Sequence, residues 1–183
     1  RRFIQGVLKV SRRSVDEIPL EQLTGEGIVV DVSARCAMNR DYRIVVQDFL
    51  DWEEKNGVIP GGTIVLLNTG FSKLWPDAQK YMGTARRGPE GVKELHFPGL
   101  DPAAAIWLVE QRHVKAVGLD TASIDYGQST TYSTHRTLFE RDVPAFENLA
   151  GLDQLPPKGF RVIALPMKIK KGSGAPLRII AFY

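Results

Sequence analysis

Three histidines and a single cysteine are the first residues of this chain to examine for metal binding or acid–base chemistry. His135 follows the polar run 120–125, which reads Asp-Thr-Ala-Ser-Ile-Asp and leaves the end of a predicted parallel strand. Ligands of open α/β sheets bind at the carboxyl ends of the strands. His135 is therefore the histidine best placed to contact a metal or a substrate.

Glu147 is the acidic residue that stands out beside it. It lies in the otherwise apolar segment 144–148, Pro-Ala-Phe-Glu-Asn. A buried carboxylate is costly unless a cation, a metal or strong hydrogen bonds stabilise it. The spacing leaves two alternatives open. Either His135 and Glu147 bind a metal together, or Glu147 pairs with a nearby arginine while His135 caps a helix.

The other candidate residues favour structural roles. His113 ends a predicted helix, where a cation complements the helix dipole. His96 lies in an irregular stretch and either lines a pocket or packs in a turn. Cys36 has only Arg35 as a basic neighbour, which makes it a poor nucleophile. The run 172–174, Gly-Ser-Gly, offers backbone N–H groups to a ligand but more often forms a simple turn.

Hydrophobic patterning predicts a mixed α/β domain around these residues. We expect strands at 27–32, 63–67, 115–119, 161–165 and 177–182, and helices at 48–55, 102–112 and 133–141. Asp101 followed by Pro102 is a strong helix start, and Ser133 or Thr134 can cap the last helix. The strand–helix–strand order across 63–119 predicts parallel pairing through a right-handed crossover. The last two strands, joined by a turn at 170–174, add an antiparallel part.

Composition limits the function classes. The 183 residues, 43% hydrophobic and 25% charged, suit one globular domain spanning 1–183. No apolar run approaches the roughly 20 residues of a membrane helix, so no membrane partner is expected. The net charge of +3, with scattered basic residues, argues against nucleic acid. A single cysteine excludes an internal disulfide and favours a reducing, cytoplasmic location.

Several segments together carry a resemblance to a known family. The most specific is 118–125, Gly-Leu-Asp-Thr-Ala-Ser-Ile-Asp, and the others are 14–20, 30–33, 62–70, 96–100, 146–149 and 172–176, with His135. The chain resembles the cyclase family of metal-dependent hydrolases, which includes kynurenine formamidase and isatin hydrolase. The resemblance extends over nearly the whole chain.

The resemblance implies a fold, a cofactor and a site. The fold is a swivelling β/β/α domain with a mixed sheet. The cofactor is zinc or manganese, and His135 and Glu147 match the two later metal ligands of the family. The activity is attack of metal-activated water on an amide or lactam carbonyl of an aromatic substrate. Family members assemble as dimers or tetramers.

One family motif is not found in this sequence. The pattern His-x-Gly-Thr-His-x-Asp-x-Pro-x-His, which supplies the other metal ligands and the general base, should precede Ser14, where 3–10 reads Phe-Ile-Gln-Gly-Val-Leu-Lys-Val. Relative to the family the fold is therefore expected to be truncated at its N-terminus, with weak or absent metal and no activity of the chain alone. The two explanations are a partial sequence of an active hydrolase and a non-catalytic binding or structural relative, and the second is favoured.

The truncation also bears on partners. Removing strands from an α/β domain leaves edges or apolar faces that need cover. We expect a homodimer or larger closed homo-oligomer, with contacts in the irregular segment 70–99 through Trp75 and Tyr81. A small aromatic ligand is the other partner that the resemblance implies.

Overall fold

A computed structural model describes residues 13–183, and the predicted strands and helices occur there in the predicted order, together with shorter elements that were not predicted. The helices are α1 (Leu20–Leu23), α2 (Ser33–Met38), α3 (Val46–Asn56), α4 (Ala78–Met82), α5 (Gly88–Val92), α6 (Pro102–Arg112) and α7 (Ser133–Phe139). The strands are β1 (Thr24–Asp31), β2 (Arg43–Ile44), β3 (Ile64–Asn68), β4 (Gly99–Leu100), β5 (Ala116–Leu119), β6 (Ala145–Phe146), β7 (Phe160–Pro166) and β8 (Leu177–Phe182). Short 3₁₀ turns lie at Phe71–Leu74 and Leu152–Gln154.

A six-stranded mixed sheet forms the centre of the fold, in the order β6-β5-β3-β1-β7-β8. Strands β1, β3, β5 and β6 are mutually parallel. Strand β7 pairs antiparallel with β1, and β8 pairs antiparallel with β7. The predicted parallel pairing of β3 with β5 through α6 is confirmed, as is the antiparallel end of the sheet. Strands β2 and β4 form a separate parallel pair.

Helices α3, α6 and α7 pack on one face of the sheet because their apolar sides meet the buried strands there, whereas Leu23 of α1 belongs to the core on the opposite face. Phe49 of α3, Leu108 of α6 and Leu138 of α7 are fully buried in this main core. As predicted, α6 begins at Asp101, whose side chain accepts a hydrogen bond from the Ala103 N–H at 2.9 Å. The strong cap and the buried alanines of α6 fix it against the sheet.

The opposite face carries a second core, built on Phe146, Leu152, Phe160 and Val162. The antiparallel end of the sheet is less well buried, and Leu165, Ile180 and Phe182 are exposed there. A homodimer or larger assembly stays a prediction, and light scattering at micromolar concentration checks it.

The irregular segment 70–99 is more ordered than its composition suggested, because it contains a 3₁₀ turn and the short helices α4 and α5. Trp75 is 60% exposed, but Tyr81 is buried. Tyr81 is therefore not available to contact a neighbouring molecule, and that part of the prediction was wrong. Within residues 13–183, no helix has the length and apolar character that crossing a membrane requires.

One ion pair joins α3 to α6 and makes stability depend on pH. The Glu53 carboxylate accepts hydrogen bonds from Arg112 Nε at 2.6 Å and Nη2 at 2.8 Å, and from the Ile59 N–H at 2.8 Å. The hydrogen bond from Arg112 is the main cause of a lowered pKa for Glu53. Both side chains are largely buried, so solvent screens the pair little.

We expect Glu53→Gln to lower the free energy of unfolding by about 2 kcal/mol at pH 7, since hydrogen bonds to charged groups contribute about 1.5–3 kcal/mol. A lowered folded-state pKa stabilises the protein above the unfolded-state value, which for Glu is about 4.3, and this gain is lost on acidification. The difference between the two proteins should therefore shrink below about pH 4. Urea unfolding across pH measures it, with Glu54→Gln, an exposed neighbour, as the control. A difference independent of pH would contradict the assignment.

Candidate functional site

The carboxyl ends of the four parallel strands place polar side chains along one edge of the sheet. Asp31 ends β1, Asn68 ends β3, Asp120 follows β5 and Glu147 follows β6. This is the edge at which open α/β sheets bind ligands. The segment 120–125 leaves β5 at the same edge and leads toward α7. The structure thus brings Glu147 and the segment that leads to His135 to one location.

His135 lies between two carboxylates. Its Nδ1 is 2.6 Å from Oδ2 of Asp125, and its Nε2 is 3.2 Å from Oε1 of Glu147. The imidazole is 19% exposed and the Asp125 side chain 4%. In the described part of the chain the ion-pair partner of Glu147 is this histidine, so the alternative with an arginine is not what forms.

Asp125 also caps α7, a role that was predicted for Ser133 or Thr134. The helix α7 begins after Tyr132, and no side chain of that residue caps it. Instead Asp125 accepts hydrogen bonds from the N–H groups of Thr134 and His135, each at 3.1 Å. Its negative charge also suits the positive end of the helix. A carboxylate from the preceding loop, rather than Ser133 or Thr134, therefore fixes the helix that carries His135.

The electrostatics of this cluster keep the imidazole charged. Burial alone lowers the pKa of His135, but the hydrogen bonds to Asp125 and Glu147 outweigh it and raise the pKa to about 9. Burial raises the pKa of Asp125, yet the hydrogen bonds from His135 and Thr134 bring it below its ordinary value. Both hydrogen bonds thus favour the charged form of the imidazole, and a metal ion that binds Nε2 must displace the proton there.

Aromatic rings flank the histidine. The rings of Tyr132 and Phe139 meet the imidazole edge-on, with centroids 6.2 Å and 5.4 Å away. Tyr132 has a φ of 50°, which a bulky residue adopts only when its surroundings enforce it. These contacts limit the rotation of the imidazole.

Asp120 lies at the same edge but serves the fold. Its Oδ1 accepts from the N–H and hydroxyl of Thr69 at 2.8 Å and 2.6 Å, and its Oδ2 from the Ser72 N–H at 3.2 Å. The side chain is fully buried. Asp120 thus ties the end of β5 to the loop after β3.

A tyrosine that sequence reasoning did not connect with the site joins two strand ends. The Tyr81 hydroxyl lies 3.2 Å from the backbone oxygen of Asp120 and 3.1 Å from Oδ1 of Asn148. Burial, together with the charges of Asp120 and Glu147, raises the pKa of Tyr81, so its hydroxyl keeps its proton. In the sequence, the one signal for this role would have been the polar hydroxyl of Tyr81, which had no predicted partner.

The donor set fits two ligand positions of a divalent metal. Metal-binding histidines usually direct their second ring nitrogen at a carboxylate, as His135 does toward Asp125. Its Nε2 and the Glu147 carboxylate are then the atoms that could bind the ion. A catalytic zinc site has three protein ligands and an open position. Residues 13–183 contain no such group of three, and residues 1–12 contain no His, Cys, Asp or Glu.

The remaining candidates lie elsewhere. His96 pairs with Asp41 at 2.7 Å and is partly exposed. His113 ends α6 in a left-handed conformation, and burial raises the pKa of Cys36 to about 12. The N–H of Gly172 donates to the Ile169 carbonyl, so a turn spans residues 169–172 and only the first residue of the run 172–174 belongs to it. None of these residues joins the site at His135.

Comparison with known proteins adds independent information. A family model described as "Putative cyclase" matches residues 3–126, and so ends before His135 and Glu147. An isatin hydrolase from Roseibium aggregatum is 28% identical over 170 residues, which cover 91% of this chain and 62% of the relative. A kynurenine formamidase from Salinibacter ruber is 28% identical, covering 97% of this chain and 72% of the relative.

Solved structures show the same relationship. An isatin hydrolase A from Labrenzia aggregata, bound to benzyl benzoate, superposes with a TM-score of 0.85 at 36% identity, covering 98% of this chain and 68% of that one. An isatin hydrolase A from Ralstonia solanacearum gives a TM-score of 0.85 at 34% identity, covering 94% and 66%. The expected fold class is confirmed. The chain spans less than two thirds of the length of the isatin hydrolase from Roseibium aggregatum.

Proposed function

The chain belongs to the cyclase family, and from this premise we propose that its sheet edge forms part of a metal-dependent hydrolase site. His135 Nε2 and the Glu147 carboxylate supply two of the ligands to a divalent ion, zinc or manganese. The observation that carries the proposal is the single imidazole held by Asp125 on one nitrogen and facing Glu147 with the other. When bound, the ion supplies Lewis acidity and an activated water.

The residues of this chain prepare the site in three ways. Asp125 orients the imidazole so that Nε2 is the nitrogen left for the ion. The N–H of Ile124 donates to Oε1 of Glu147 at 2.9 Å and holds that carboxylate at the edge. The rings of Tyr132 and Phe139 limit the rotation of the imidazole. These contacts position two ligands before any ion binds.

The substrate class follows from the relatives. Proteins named isatin hydrolase and kynurenine formamidase support an aromatic compound with a lactam or amide bond as the substrate of a complete site. Two protein ligands hold a metal weakly, and the family motif that supplies the general base is not found in this sequence. We therefore propose that this chain by itself binds metal weakly and does not turn over such substrates.

Metal binding tests the first part. The purified chain titrated with Mn²⁺ or Zn²⁺ should bind substoichiometrically and lose the ion to a chelator. His135→Ala and Glu147→Gln should abolish this binding, because each removes one of the two ligands. His96→Ala is the matched control, since that histidine also pairs with an aspartate but lies outside the site. One tightly held ion per chain that survives chelator dialysis would contradict the proposal.

A hydrolysis assay tests the second part. N-formylkynurenine and isatin, with added manganese or zinc, should be hydrolysed no faster than in buffer. Turnover that follows the protein through purification and disappears in Glu147→Gln would show that the site is complete. That result would also decide between a non-catalytic relative and an active hydrolase.

A further inference from the structure

We propose that Tyr81 positions the metal ligand Glu147, acting through the neighbouring residue Asn148. This inference rests on the proposed function, because it treats Glu147 as a ligand. Tyr81 does not contact the ion or the substrate. It fixes the backbone from which the Glu147 side chain extends, and so sets how accurately this carboxylate faces His135.

The first observation is the place of the Tyr81 hydroxyl. It lies within hydrogen-bonding distance of the backbone oxygen of Asp120, after β5, and of Oδ1 of Asn148, after β6. A phenylalanine would fill the same apolar space in the main core. Compared with a phenylalanine, Tyr81 therefore differs only in the contacts of its hydroxyl with the ends of two neighbouring strands. The site lies at these strand ends.

The second observation is the conformation of Asn148. Its φ is 59°, in the left-handed region that asparagine tolerates better than most residues. The backbone N–H donates to the Thr121 carbonyl at 2.8 Å, and the side chain faces Tyr81. The peptide that directly follows Glu147 is thus held at two points. Losing the side-chain contact leaves the strained conformation with less support.

The third observation is that Tyr81 itself is held. The ring of Trp75 meets it edge-on at 5.5 Å. The helix α4 that carries Tyr81 begins at Asp77, whose side chain accepts from the Lys80 N–H at 3.1 Å. After α4, the His96 N–H donates to the Met82 carbonyl at 2.8 Å. An anchored tyrosine can restrain Asn148, whereas a mobile one could not.

Titration of the full chain with Co²⁺ tests the proposal, because the visible absorption of bound Co²⁺ reports both affinity and ligand geometry. Tyr81→Phe should weaken Co²⁺ binding about tenfold, at the lower end of the range for residues that orient metal ligands. The absorption band should also change shape as the Glu147 oxygen shifts. Asn148→Gly, which keeps the left-handed backbone but removes the acceptor, should have the same effect.

A double-mutant cycle separates positioning from general loosening. If Tyr81 acts through Asn148, the variant carrying Tyr81→Phe and Asn148→Gly should lose no more affinity than either single variant. Tyr42→Phe is the matched control, because the Tyr42 hydroxyl bonds Asp48 away from the site. It should leave Co²⁺ binding unchanged.

The outcomes distinguish the two proposals. Unchanged affinity in Tyr81→Phe, with binding by the unsubstituted chain, overturns the role of Tyr81 and leaves the metal site standing. Additive losses in the double variant also overturn that role. If the unsubstituted chain binds no Co²⁺, the proposed function fails and this inference fails with it.

Discussion

Replacement of Asp125 by asparagine is expected to lower the free energy of unfolding by about 3–5 kcal/mol, the range for removing one partner of a buried ion pair. The carboxylate accepts from two backbone N–H groups of α7 and pairs with the His135 imidazole. An asparagine amide presents one N–H₂ group where only acceptors fit. Urea unfolding at pH 7 measures the loss.

The same substitution should weaken metal binding about 10–100-fold, because the imidazole loses the group that orients it. Asp41→Asn is the matched control. The His96–Asp41 distance of 2.7 Å is close to the 2.6 Å of His135–Asp125, but those side chains are 44% and 36% exposed. Exposed pairs contribute at most about 1 kcal/mol. Equal losses in the two variants would show that burial of Asp125 is not the cause.

Gly99→Ala is expected to destabilise the fold by about 3 kcal/mol or more, the upper end for overpacking. A Cβ at Gly99 would lie 2.1 Å from the Tyr126 nitrogen and 2.4 Å from the Asp125 carbonyl carbon. Both are backbone atoms, so no side-chain rotation relieves the clash. The segment that must move is the one that carries Asp125, and metal binding should fall with stability.

Gly61→Ala is the control for Gly99. A Cβ there would come no closer than 3.8 Å to another residue, at the Arg112 oxygen and the His113 Cβ. Surface changes away from tight contacts stay within about 0.5 kcal/mol. Thermal unfolding by circular dichroism compares the two variants. Similar melting temperatures for Gly99→Ala and Gly61→Ala would contradict this prediction, because the backbone at residue 99 would then move away from residues 125–126 without loss of stability.

Asp125→Asn and Gly99→Ala both disturb the loop that follows β5. Gly99 allows the backbone of β4 to pass against residues 125–126, and the Leu100 N–H donates to the Ile124 carbonyl at 2.8 Å. The next residue, Asp125, accepts a hydrogen bond from the first turn of α7, and the N–H of Ile124 donates to Glu147. The loop after β5 is therefore the common support of both proposed ligands.

The sequence by itself determined the longer elements of this protein and their order, namely strands β1, β3, β5, β7 and β8 and helices α3, α6 and α7. The shorter helices and strands were not predicted. Strands such as β3 are encoded by a continuous run of branched apolar residues, and the start of α6 by Asp101 and Pro102. These signals are local, since they depend on residues within one turn or one strand. His135 and Glu147 could be predicted as a pair because the resemblance to a family supplied the link between them.

Only the tertiary structure decided how the site is held. Asp125 as the cap of α7, the Tyr81–Asn148 contact and the close approach at Gly99 each join segments that are distant in sequence or have no shared periodicity. The type of a residue does not reveal which distant group will satisfy its hydrogen bonds. That depends on where the sheet brings the strand ends together, because a buried polar atom pairs with whatever partner the packing places within reach.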